Sequence, residues 1–149
     1  MSASAFKQLT DALVAACMQT PALAGGRIWP NRLRPLSAQQ TSAIVVRLVK
    51  SAARETTLGA HDWRTQIDVE CYGRGATGFD PAEAVDELLQ SAWGRLSSID
   101  PAALSAMAIA LNPAVEYHFE EAETPMACAI VSLVISHRTP VNLMTPWNS

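Results

Sequence analysis

The chain has 149 residues, of which 49% are hydrophobic and 17% charged, and it carries a formal net charge of -3. That length and balance suit one globular domain with a real core and exclude the polar, highly charged composition of a disordered chain. The small negative charge offers no overall attraction for nucleic acid or an anionic bilayer.

Ser4 is placed to cap a first helix over about Ala5 to Met18, with Phe6, Leu9, Leu13 and Cys17 at helical spacing. Thr20-Pro21 ends it, Gly25-Gly26 permits a reversal, and Arg27-Ile28-Trp29 reads as a short strand. Pro30 to Thr41, with two prolines and many polar residues, reads as a projecting loop. Ala43 to Lys50 reads as a strand central in a sheet, with Ile44, Val46 and Leu48 on one side and Arg47 interrupting the other. Ser51 to Ala60 is polar and contains Gly59, which predicts a hairpin whose long connecting arm could reach a neighbour.

Asp62 to Tyr72 has the clearest period-two pattern, with Trp63, Thr65, Ile67, Val69 and Cys71 on a covered face and Asp62, Arg64, Gln66, Asp68 and Glu70 on a wet one. Gly73, Gly75 and Gly78 are expected to break that strand. Asp80-Pro81-Ala82-Glu83 then supplies a cap, a first-turn proline and an acidic residue for a second helix. Its apolar stripe is Val85, Leu88, Leu89, Ala92, Trp93 and Leu96, and Asp86, Glu87, Gln90 and Arg95 are expected to face water. The segment from Asp100-Pro101 to Leu111 fits either a helical turn or the start of a strand.

Val115 to Glu120 alternates as a strand, and Glu121 to Pro125 as its turn. Met126 to Arg138 is apolar on both faces and should lie inside the sheet, returning to solvent at His137 and Arg138. Together these elements predict an α+β domain in which two main helices pack on one face of a mixed, mostly antiparallel sheet of four to five strands.

Three observations bear on chemistry. Gly73 to Gly78 resembles a phosphate-binding turn only weakly, because Asp80 sets a carboxylate where a phosphate would bind. The histidine-carboxylate neighbourhoods, His61-Asp62 and His118 with Glu116 and Glu120, lack a further histidine or cysteine nearby and read as solvated strand residues. Cys17, Cys71 and Cys128 are odd in number and widely spaced, as reduced core thiols are. No catalytic, cofactor-binding or metal residue is therefore assigned, although a small ligand-binding or enzymatic α+β domain stays open as an alternative.

Arg27, Arg32 and Arg34 form a loose basic cluster around Trp29, and the tail Thr139 to Ser149 is too apolar for an ordinary solvated end and too proline-broken for a helix. The candidate assembly contacts are Trp29, Arg32 and Arg34 at the loop, Arg54 in the arm, Arg64 on the wet face and Trp147 in the tail. The N-terminus lacks an apolar signal core, which predicts a protein made in the cytoplasm.

The N-terminal helix, the Arg-Ile-Trp-Pro-Asn segment, the strand Ala43 to Lys50, the strand ending Glu70-Cys71-Tyr72-Gly73-Arg74, the capped helix and the closing Ser136-His137-Arg138-Thr139 occur in an order that resembles the tail-terminator and minor tail proteins of the lambda U type from long-tailed bacteriophages and prophages. The resemblance covers about Phe6 to Thr139. It implies a structural protein of the virion, located at the head-tail junction, that forms a ring, commonly a hexamer. That ring would stop polymerisation of the tail tube and offer a surface to a head-completion protein. The implied partners are other copies of the chain, the tail tube protein and the head-completion protein, with DNA only as cargo through the lumen and no membrane. Another head-tail connector or tail-completion subunit would share the same features.

Overall fold

The computed structural model describes residues 3–32, 40–75, 80–120 and 125–147, and at 54–57 the backbone alone. It is an α+β fold with two helices, α1 (Ala5–Met18) and α2 (Pro81–Ser97), and five strands, β1 (Ile28–Pro30), β2 (Ser42–Thr57), β3 (Ala60–Arg74), β4 (Ala108–Glu120) and β5 (Met126–Pro140). The sheet order is β1-β2-β3-β5-β4. Only β1 and β2 are parallel, the remaining neighbours being antiparallel.

Both helices start as their sequences predict. The Ser4 side chain accepts the Lys7 N–H, and the Asp80 carboxylate accepts that of Ala82, so each satisfies an amide that the first turn leaves without a partner. Asp80→Ala should cost about 1 kcal/mol, read as a lowered midpoint in thermal unfolding. The helices cover one face of the sheet. Leu9, Leu13 and Cys17 from α1, with Val85, Leu89, Ala92 and Leu96 from α2, meet Ile44, Val46, Ile67, Val69, Cys71, Val131, Leu133 and Ile135 in a single core. These strand positions alternate by two, so the opposite face is left open.

Several expectations change in the structure. β2 does not stop at Lys50: it continues to Thr57 and turns through Leu58-Gly59 into β3, so the predicted hairpin forms, with a two-residue turn in place of the long connection. Gly59 has a φ of +84°, which a two-residue turn of this kind requires. β2 is central only along its first half, because β1 pairs with Ile44 to Val46 and its second half is an edge. Gly73 continues the β3 ladder opposite Ser42 and Ala127 instead of breaking it. The strand predicted at Val115 begins earlier, at Ala108, with an irregularity between Leu111 and Val115, and a 3-10 turn over Pro101–Leu104 precedes it. β5 likewise runs on to Pro140, two residues past Arg138.

Three charged positions expected in solvent are structural: Glu70, on the wet side of β3 but buried under Arg47 and Tyr72, and His137 and Arg95. His137 is buried, with Nε2 2.6 Å from the Thr65 hydroxyl and the Phe6 ring set edge-on against it. Arg95 lies across the end of α1 and donates to the carbonyls of Ala16 and Gln19 at 3.0 Å and Pro21 at 2.8 Å. These acceptors sit where the helix leaves its last carbonyls unsatisfied and its dipole is negative. Arg95→Ala should lower stability by about 2 kcal/mol, with Arg95→Lys recovering only part because an ammonium cannot fork across several carbonyls. Thermal unfolding of the pair checks both.

Candidate functional site

The open face of the sheet carries the polar side chains. At its centre, Glu70 on β3 receives two hydrogen bonds from Arg47 on β2, at 2.8 and 2.9 Å, and one from the Tyr72 hydroxyl at 2.7 Å. Burial pushes the Glu70 carboxyl up, but the bonds from Arg47 and Tyr72 outweigh it and hold the group below the ordinary carboxylate range. Nearer the hairpin, Asp62 and Arg138 form a second forked pair at 2.6 and 3.1 Å. The hydrogen bonds from Arg138 keep Asp62 ionised.

A depression of about 390 Å³ beside the first pair is lined by Glu70, Tyr72, His118, Phe119 and Cys128 among others. Two of its groups, Cys128 and Tyr72, have raised pKa values. Burial raises the Cys128 thiol to about 12, so it is not a thiolate at neutral pH. Burial, and the bond it donates to Glu70, also push the Tyr72 hydroxyl up. Cys17 and Cys71 are buried thiols raised by burial too. Among the described residues no three histidine, cysteine, aspartate or glutamate side chains come together in a way that could hold a metal ion. Among the described residues no helix is long and apolar enough to cross a membrane.

Four of the six candidate contact residues have described side chains: Trp29, Arg32, Arg64 and Trp147. Trp29 is half-buried on β1 with the exposed Arg32 guanidinium stacked 3.8 Å above its ring. Arg34 lies outside the described residues, and so does most of the Pro30 to Thr41 loop. Arg27, grouped with these arginines in the sequence, is instead tied to the carbonyl and hydroxyl of Ser42. Arg54 falls in the distal half of β2, at a register irregularity, where the backbone alone is described. Arg64 is exposed on the open face of β3, opposite Ala52 of β2 and Ser136 of β5.

Trp147 belongs to the same end of the molecule. The tail folds back on its own chain: the Val141 N–H meets the Gly59 carbonyl, the Met144 carbonyl accepts the Ala5 N–H, and the Trp147 N–H bonds the Arg138 carbonyl. The Trp147 ring stays 39% exposed, with Arg138 5.8 Å over it. No family model and no curated protein matches the chain.

Exposed apolar side chains are the remaining feature of the surface. Leu58 projects fully from the hairpin tip, Met107 stands before β4, and Tyr117 and Phe119 stack on β4 with ring centroids 6.1 Å apart. A groove of about 540 Å³ between α2 and β4 is lined by Leu89, Trp93, Pro113 and Val115 among others. Apolar side chains gathered along one edge and at one hairpin tip suit contact with another protein surface. The sequence marked Trp29 and Trp147 for this role and passed over β4, whose alternation reads equally well as a strand covered on one side.

Proposed function

We propose that the chain is a structural protein that assembles with copies of itself into a ring, commonly a hexamer, at the end of a phage tail tube. There it stops tube polymerisation and presents a surface to the head-completion protein, with DNA passing through the lumen as cargo. The terminator role is supported by the sequence resemblance over about Phe6 to Thr139.

The observation that carries the assembly part is the asymmetry of the sheet, which ends in two different edges without a strand partner among the described residues, β4 on one side and the second half of β2 on the other. Rings are built by heterologous contacts, in which each subunit offers one patch and receives another. The expected result is that electron microscopy of the purified chain mixed with tail tubes shows density capping one tube end. Decoration along the tube wall, or no binding, would refute termination. A connector subunit elsewhere in the junction would assemble through similar surfaces and leave free tube ends bare.

A further inference from the structure

We infer that the ring closes by strand pairing, with the β4 edge of one copy added antiparallel to the distal half of β2 in the next. This rests on the ring proposed above and specifies its contact. Consecutive neighbours in β2-β3-β5-β4 are antiparallel, so β4 runs opposite to β2. A second copy related by rotation about a ring axis therefore brings its β2 antiparallel to the first copy's β4, and the open faces stay on one side. β1 and Asn31 occupy β2 only as far as Leu48, where the Asn31 side chain accepts the Leu48 N–H. From Lys50 to Thr57 the outer edge has no strand partner among the described residues.

Charge decides between copies meeting head to tail and meeting across a two-fold axis. On the open face β4 presents Glu116, His118 and Glu120, all exposed, with His118 Nε2 3.2 Å from Glu116. The distal half of β2 presents Lys50 on that face, with Arg64 on the next strand, and neither has an ion-pair partner among the described residues. Pairing β4 with β4 sets glutamates against glutamates, and pairing β2 with β2 sets lysines together, which edges use to avoid self-pairing. Pairing β4 with β2 sets the two signs side by side and gives the interface its direction.

The register follows from the same residues. Within one copy Lys50 is level with Ala110, through Gln66 and Val134. Bringing Lys50 beside Glu116 slides the neighbour along the edge by an even number of residues, which keeps every side chain on its face. Closed sheets of tilted strands require such a stagger. The slide also carries the neighbour's Leu58 to the start of β4, where Met107 is exposed.

The test uses charge reversal at exposed positions, with native mass spectrometry over a concentration series and thermal melting to confirm folding. Lys50→Glu and Glu116→Lys should each raise the concentration needed for assembly by at least about tenfold, since like charges then face each other at every contact. Either the double variant or an equimolar mixture of the two single variants should restore assembly, because each then pairs a lysine with a glutamate. Rings that persist unchanged in both folded single variants overturn the edge pairing and leave the ring standing. A wild-type chain that stays monomeric at every concentration overturns both.

Discussion

Gly73→Ala is expected to destabilise the protein by about 3 kcal/mol or more, although it adds a single methyl group. Gly73 lies on the helix side of β3, against the first turns of α2. A Cβ built there falls 2.2 Å from the Ala84 carbonyl oxygen, 2.5 Å from its carbon and 2.9 Å from the Val85 nitrogen. These are backbone atoms of a helix, so no side chain can rotate away and the first turns of α2 must lift. Lifting them uncovers Val85, which is fully buried, and strains the Asp80 cap. Gly94, late in α2, is the control: a Cβ there meets nothing within 4 Å. Gly94→Ala should hold or raise stability by up to about 1 kcal/mol through helix propensity alone. Thermal unfolding of the two variants tests the contrast, and equal small effects would refute the close-approach account.

Gly73 also shows what the sequence conceals. Three glycines in six residues read as a break in the chain, because the spacing that a helix will demand of a strand is absent from the strand's own pattern. Where burial follows period, the reading holds: α1 has the bounds its periodicity predicts, and the alternation of β3 separates covered from open face. Both depend on neighbours in sequence, which local physics controls. The distal half of β2 carries no such signal, because its inward residues are small or polar. Ser51 and Thr65 share a hydrogen bond of 2.9 Å between their hydroxyls in place of an apolar contact, so no hydrophobic alternation marks the strand. Residue type alone places Arg95 and His137 in solvent, yet each meets partners more than 70 positions away in sequence. The candidate surface suffers most from this, since an edge exists only once the strand order is known.

His137 supplies the second large effect, a loss of stability between pH 6.5 and about 4. Its ring is 2% exposed, beneath Phe6, and burial lowers its pKa from 6.5 to about 4. The folded state therefore holds the imidazole neutral over a range in which the unfolded chain takes up a proton. Stability is full above 6.5, falls as the pH drops through this window, and levels off below about 4, where both states are protonated. The interval corresponds to roughly 3 kcal/mol. Asp62 and Glu70, whose folded carboxyls are lowered, lose their contributions only as the pH falls from their ordinary values of 3.8 and 4.5, so the upper part of the window isolates the histidine. His137→Gln should start less stable at pH 7 and keep its unfolding midpoint nearly constant down to about pH 5. A variant whose midpoint falls in parallel with the wild type would refute the assignment. The position gives this titration a functional reach: His137 bonds Thr65, Thr65 bonds Ser51, and Ser51 stands next to Lys50 on the edge proposed to receive β4. Protonating the ring fixes Nε2 as a donor to the Thr65 hydroxyl, which must then donate to Ser51, and sets a charge in the buried layer beneath the distal hairpin. Ring dissociation should then begin within the same pH window in the wild type and be displaced in His137→Gln, which links the buried histidine to the assembly edge.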